Sequence, residues 1–365
     1  MRTNNALSRR IRVLLVAPSL DILGGQAVQA SRIREQIAQT PDIEMRFQPI
    51  NPRVVAPFQF LLRIKGLRTL TNFASYFPAL VWRAWPVDIL HIFTAAYTSY
   101  LLWSMPALLI GKLLGKKVIL NYRDGQGEDH LKNWRTAIPT IRLADRIVAP
   151  SGFIVDVFRK FGLSAISIFN FIDTAHFIDR RRRQLRPVFM TNRILEPLYN
   201  IHCLLRAFQR IQQRYPDATL TLAHDGPSRQ ELEAFAGELG LRHTSFIGRV
   251  PHTQIRELYD AADIYLTTPN IDCMPGSLLE CFASGLPIIA TKAGGIPYVV
   301  TDEKDGLLVE LDDDEGVARA SFRLLEDPVL VERLTDAGRE AVKSYAPERV
   351  RQQWAALYRE LVGRR

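Results

Sequence analysis

The sequence predicts an α/β protein made of two doubly wound parallel sheets, one following the other along the chain. Three observations carry that expectation. A chain of 365 residues is longer than one ordinary hydrophobic core accommodates. Short apolar runs alternate with longer helix-like segments, the order expected of a parallel sheet with helices on both faces. The alternation then starts afresh near residue 186, behind a polar basic stretch.

In chain order, IRVLLVAPS (11–19) is a buried strand, GGQAVQASRIREQIAQ (24–39) a glycine loop and helix, and PDIEMRFQPI carries the next strand. VDILHIF, KKVILNY and RIVAPS are further β-rich runs, with LLWSMPALLIGKLLG a helix between the first two. The second set comprises RPVFMTNR, ATLTLAHDG, TSFIGRV, DIYLTTP, PIIAT and GLLVEL, with helices such as NIHCLLRAFQRIQQRY between them. PERVRQQWAALYRELVGRR is one amphipathic helix with Trp354 and Tyr358 a turn apart. The expected domains are therefore 1–168, 169–346, and a terminal helix 347–365 that crosses back onto the first domain. Two such sheets facing across a cleft would bind ligands at the carboxyl ends of their strands.

Composition narrows the function classes. Hydrophobic residues make up 47% and charged residues 23%, as in a globular protein. No apolar run reaches the roughly 18 residues of a membrane-spanning helix. The polar start MRTNNALSRR has no small-residue cleavage site behind it, so a cytoplasmic protein is expected. Cys203, Cys273 and Cys281 lack metal-ligand spacing and read as reduced thiols. Residues 1–170 hold 22 Lys+Arg against 10 Asp+Glu, and the remainder 25 against 28, so the excess positive charge lies in the first half. No nucleic-acid-binding signature accompanies it. Residues 53–85 mix Arg53, Arg63, Lys65, Arg68 and Arg83 with leucines and aromatics. That pattern fits an anionic membrane surface, with a peripheral place on the inner face, and equally a core-facing helix pair with solvated arginines. Arg180 to Arg183 reads as a solvated linker, and Asp312 to Glu315 as a solvated loop.

The segment DCMPGSLLE (272–280) carries the chemistry. Pro275 and Gly276 break the chain after a strand, Ser277 is a candidate N-cap, and LLECFASG is helical to Gly285. Backbone N–H groups at that helix start suit a phosphate or diphosphate without a metal. Glu280, one turn in, suits the vicinal hydroxyls of a ribose, and Asp272 those of a second polyol. Taken alone, the segment reads first as a helix whose acids complement its dipole. Gly294-Gly295 after PIIA and Gly24-Gly25 after the first strand are glycine loops where backbone approaches a ligand closely.

The stretch from GRVPHTQIRELYDAADIYLTTP through DCMPGSLLE to KDGLLV resembles the donor-binding domain of retaining glycosyltransferases of the GT-B fold. Their large group 1 family carries a glutamate-seven-residues-glutamate motif. IFNFIDTAHF, NRILEPLYNI and LAHDGPSRQELEAF extend the resemblance over nearly the whole chain. It implies a nucleoside-diphosphate-sugar co-substrate, no metal, and a sugar or lipid-linked acceptor. It implies Glu280 on the ribose, Asp272 on the donor sugar, and Met274, Pro275, Gly276, Ser277 and Leu278 around the distal phosphate. Arg193 would neutralise the departing diphosphate, Arg249 and Val250 would pack on the base, and Gly24 and Gly25 would lie beside the phosphates.

Three positions depart from the pattern. Asp272 is one methylene shorter than the family's glutamate. Tyr199 stands where a lysine usually accompanies the arginine. Arg123, in VILNYRDGQGEDH, stands where a histidine commonly ends a strand of the first domain. Arg123 is then a candidate second cation and His130 a candidate substitute ring, with Asp124, Glu128 and Asp129 as candidate acceptor ligands. The same segment also reads as a polar loop and helix cap. His224 stands at a turn glycine of the family. The expected function is transfer of a sugar to an acceptor hydroxyl with retention, in glycan, glycolipid or exopolysaccharide assembly. A catalytically silent relative that binds a sugar nucleotide or partner protein is the alternative, and an epimerase on the same fold a more distant one.

Overall fold

A computed structural model describes residues 9–19, 25–50, 67–251 and 253–363, with the side chains of 67–74 left out. The chain divides into two compact units: residues up to Asn170 together with Pro347–Arg365, and Phe171–Ala346.

The first unit is a six-stranded, all-parallel sheet. Its strands are β1 Ile11–Ala17, β2 Ile43–Pro49, β3 Ile89–Thr94, β4 Lys117–Tyr122, β5 Arg146–Ala149 and β6 Ala165–Ser167, in the order β2-β1-β3-β4-β5-β6. β1, β3 and β4 are buried along nearly their whole length, as expected of central strands in a parallel sheet covered on both faces. β6 lies within a stretch the pattern did not mark as a strand. The helix read over LLWSMPALLIGKLLG is there, with a π-turn at Tyr100–Ser104 ahead of Met105–Leu113.

The terminal helix Pro347–Leu361 belongs to this first unit. Trp354 and Tyr358 are buried on His91 of β3: the indole ring lies 4.4 Å from the imidazole, and the Tyr358 hydroxyl 2.8 Å from its Nδ1. Arg359 forks onto the Asp42 carboxylate through two 2.8 Å bonds. Among the described residues no helix is long and apolar enough to cross a membrane.

The second unit repeats the plan with β7 Val188–Thr191, β8 Thr219–Leu222, β9 Thr244–Phe246, β10 Ile264–Thr267, β11 Ile288–Thr291 and β12 Leu307–Val309, in the order β12-β11-β10-β7-β8-β9. The direction of winding reverses between β7 and β10. Its core packs Phe189, Phe208, Leu220 and Leu266 against Leu324 and Leu334. Each unit is Rossmann-like, and two such units in one chain are the plan of the GT-B fold.

The run Arg180 to Arg183 is only in part the solvated linker expected: Arg181 and Arg183 are exposed, and Arg182 is buried. Arg180, Arg182 and Arg186 converge on Asp263, which has no exposed side-chain surface. Arg182 is buried and donates to the carbonyls of Tyr259, Ala262, Ser284 and Gly285, the ends of two helices. The acids at 312–315 also differ from a free loop. Asp313 caps the helix Asp314–Glu326 through the Gly316 N–H, while Asp312 and Asp314 pair with Arg206 and Arg210.

Candidate functional site

The switch point of the second sheet is where a doubly wound fold leaves a crevice beyond its strand ends. Arg193 follows β7 and Asp272 follows β10, so the two flank that point. Their side chains form an ion pair and are 12% and 10% exposed. The guanidinium also lies over the Tyr199 ring, 4.3 Å from its centroid. Tyr199, which supplies no charge, thus holds the arginine in place. Burial disfavours a charge here, yet the Asp272 carboxylate outweighs it and keeps Arg193 firmly protonated. Burial also lifts the Asp272 carboxyl above its ordinary range, against Arg193 and the N–H groups of Cys273 and Met274.

The glycine loop after β11 explains how Asp272 is held. Gly294 has φ +52°, and a Cβ there would collide with the Asp272 carbonyl oxygen. The Gly295 N–H donates to that same carbonyl at 2.7 Å. The backbone approach that the glycine pair permits is therefore made to Asp272.

The helix Gly276–Ala283 starts after Pro275, with no side chain capping it. Ser277 lies inside the first turn and is not the N-cap that the sequence suggested. The Leu278 N–H makes a 3.3 Å bond to Pro275, and Met274 and Leu278 are buried. Glu280 is buried on the same helix and accepts from the Tyr259 hydroxyl at 2.9 Å. The Asn192 amide donates to that hydroxyl at 2.8 Å, and the Tyr265 hydroxyl donates to the Asn192 carbonyl at 2.8 Å. Sequence reasoning missed Tyr259, Asn192 and Tyr265. Their only sequence signal is the position of Asn192 beside Arg193 and of both tyrosines in the segment before DCMPGSLLE.

Arg249 is exposed and Val250 half-buried, both beyond β9. His224 follows β8, its Nδ1 2.7 Å from the Asp225 carbonyl and 2.8 Å from the Asp225 N–H.

In the first unit, Gly25 opens the helix Gly25–Ile37 with open space around it, and Gly24 lies outside the described residues. Arg123 stacks over Phe93 at 4.7 Å and binds the Asn170 side chain. His130 is buried among Tyr97, Tyr100, Tyr122 and Trp134, with its Nδ1 2.9 Å from the Tyr122 hydroxyl. That burial pushes its pKa down to about 4. The three neighbouring acids have local tasks. Asp124 accepts from the N–H groups of Ala96 and Gln126, Asp129 from the Tyr97 hydroxyl, and Glu128 pairs with Lys160.

Among the described residues no cluster of three or more His, Cys, Asp or Glu side chains has metal-site geometry. All three cysteines are free and buried.

Residues 175–341 match the family model described as Glycosyl transferases group 1. The lipopolysaccharide core biosynthesis glycosyltransferase LpsD of Rhizobium meliloti is 35% identical over 147 residues, 40% of this chain and 41% of that protein. D-inositol 3-phosphate glycosyltransferase of Corynebacterium urealyticum is 33% identical over 46% of this chain and 40% of its own length. The alignments thus span about two fifths of these relatives. Over the fold, sucrose-phosphate synthase from Thermosynechococcus elongatus superposes with a TM-score of 0.76 at 19% identity, covering 97% of this chain and 100% of that one. HepE of Anabaena, solved with UDP and glucose, gives 0.75 at 18% identity, covering 96% and 100%.

Proposed function

From the membership of residues 175–341 in the group 1 glycosyl transferases, we propose that the protein moves a sugar from a nucleoside-diphosphate-sugar donor to an acceptor hydroxyl. The observation that carries this reading is the constellation at the switch point of the second sheet. There the Arg193–Asp272 pair, the uncapped start of the helix Gly276–Ala283 and Glu280 come together. In the donor complex Glu280 takes the ribose hydroxyls, the helix start and Arg193 take the diphosphate, and Asp272 takes a hydroxyl of the sugar. Arg249 and Val250 pack on the base. HepE, of the same fold, binds UDP and glucose, which supports a nucleotide donor.

The reaction proceeds with retention. The bond from the anomeric carbon to the diphosphate oxygen breaks, the acceptor oxygen bonds that carbon from the same face, and the acceptor proton passes to the departing phosphate. Stabilising the developing charge on the diphosphate is the main catalytic contribution. The cationic groups serve this purpose without a metal, so turnover persists in a chelator. Incubation with a panel of nucleotide sugars and acceptors, read by NMR at the anomeric carbon, tests the reading. Tight donor binding with no transfer or hydrolysis under any condition would instead favour a silent, sugar-nucleotide-binding relative.

The first unit carries 27 Lys+Arg against 12 Asp+Glu, the second 20 against 26. Trp82 and Trp85 of the first unit are 76% and 68% exposed, and Lys116 bonds the Trp85 carbonyl at 2.7 Å. Residues 53–66 of the basic stretch lie outside the described residues. Exposed tryptophans on a basic unit support peripheral binding to an anionic membrane face, where a lipid-linked acceptor resides. Flotation with anionic vesicles tests it: binding at low salt, lost at high salt and weakened in a Trp82→Ser/Trp85→Ser variant. Equal flotation with neutral vesicles, or none with anionic ones, argues against it.

A further inference from the structure

The register of the second sheet sets Arg193 and His224 at matching positions past adjacent strands, with Arg249 one residue further on past the next strand. β7 and β8 pair Thr191 with Leu222, and β8 and β9 pair Leu222 with Phe246. The ladder continues one step further, through the Ala223 N–H to the Thr191 carbonyl at 2.8 Å and the Ile247 N–H to the Leu222 carbonyl at 3.1 Å. Arg193, His224 and Arg249 therefore leave the carboxyl edge of three adjacent strands, with His224 in the middle. The turn bearing His224 is locked against the Arg193 loop. The Leu195 N–H donates to the Asp225 carbonyl at 3.2 Å, and Gly226 lies so close that a Cβ would strike the Leu195 backbone.

The imidazole is held in a way that tolerates either charge state. In the neutral Nε2–H tautomer its Nδ1 accepts from the Asp225 N–H at 2.8 Å; when protonated, the same nitrogen donates to the Asp225 carbonyl at 2.7 Å. In both of these states Nε2–H is a donor for a ligand. The charged groups around the ring are Arg193 and Arg249, both repulsive, and the Asp225 carboxylate, itself 3.8 Å from Arg229. Arg193 already shares its charge with Asp272. A nucleoside diphosphate brings two or more negative charges to this edge, more than the shared Arg193 guanidinium alone offsets.

We infer that His224 is a further diphosphate-binding group of the donor site, donating through Nε2 and taking up a proton as the nucleotide binds. This rests on the donor reading above. In the free protein, burial and then the two arginines hold the imidazole below its ordinary pKa, so it starts neutral at physiological pH. The anion reverses the arginines' effect on the ring.

Calorimetry with UDP, GDP and ADP tests the inference, run in buffers of different ionisation enthalpy at pH 6 and pH 8.5 on wild type, His224→Gln and His224→Asn. The nucleotide phosphate itself titrates, so the informative quantity is the difference between wild type and variant. For the nucleotide that binds, both variants should weaken affinity by about fivefold to tenfold at pH 6 and by less than about twofold at pH 8.5. Proton uptake should be correspondingly larger in wild type. Binding with equal proton uptake in all three proteins would overturn the role of His224 and leave the donor reading standing. Failure of all three nucleotides to bind wild type would overturn both.

Discussion

Glu280 and Tyr259 separate recognition from support. Glu280 would meet the ribose itself, whereas Tyr259 reaches the ligand only through Glu280. Glu280→Ala is expected to weaken nucleoside-diphosphate affinity by about 10- to 100-fold, the range of a hydrogen bond to a charged group. It should leave affinity for the 2′,3′-dideoxy nucleotide close to that of wild type, which calorimetry can compare directly. Tyr259→Phe removes the hydroxyl shared by buried Glu280 and half-buried Asn192. It should cost about 1–2 kcal/mol of stability by urea titration and weaken nucleotide binding less than Glu280→Ala does. Equal losses in the two variants would place Tyr259 in direct contact with the ligand.

At the scale of elements, loops far apart in sequence hold the site. Gly294→Ala forces a side chain into left-handed backbone and onto the Asp272 carbonyl. It should lower stability by about 1–3 kcal/mol and weaken sugar-nucleotide binding as Asp272 shifts. Arg182→Met should be more severe, roughly 3 kcal/mol or more, because four helix-end carbonyls lose their donor together. A thermal melt of each variant checks the order.

These two positions also mark how far the sequence could be read. Strand alternation revealed the fold, because period and apolar content are local properties. The run DCMPGSLLE pointed to the candidate site, because a helix start and two acids lie within nine residues. Arg182 was misread because the carbonyls that bury it come from residues about 80 to 100 positions away. The contact of the Gly294-Gly295 pair with the Asp272 backbone was invisible for the same reason, since a glycine pair does not reveal whose backbone approaches it. The support of Glu280 by Tyr259 was invisible, as a tyrosine in a helix ordinarily reads as core.

For the molecule as a whole, the two units differ in charge, and the first carries a buried histidine that responds to acid. In the first unit, burial and then Arg123 push the pKa of His91 down to about 3. An unfolded histidine titrates near 6.5, so between those values the unfolded chain binds a proton that the folded one refuses. Stability is therefore full above about pH 6.5 and falls as the pH drops toward 3. Denaturant melts from pH 7 to pH 4 should show this decline, and His91→Asn should flatten it while lowering stability at neutral pH.

The Arg193–Asp272 pair has a kinetic consequence. Each member is the other's partner before anything binds, so a ligand must offer a replacement to both. In the proposed complex an intact donor does so, with phosphate for the arginine and a sugar hydroxyl for the aspartate. A spent nucleoside diphosphate supplies only the first. Once the sugar has gone, Asp272 competes for Arg193 again, and re-forming the pair speeds release of the nucleotide. Removing the competitor, as in Asp272→Asn, should make the spent nucleotide dwell longer, a slower dissociation that stopped-flow displacement would detect.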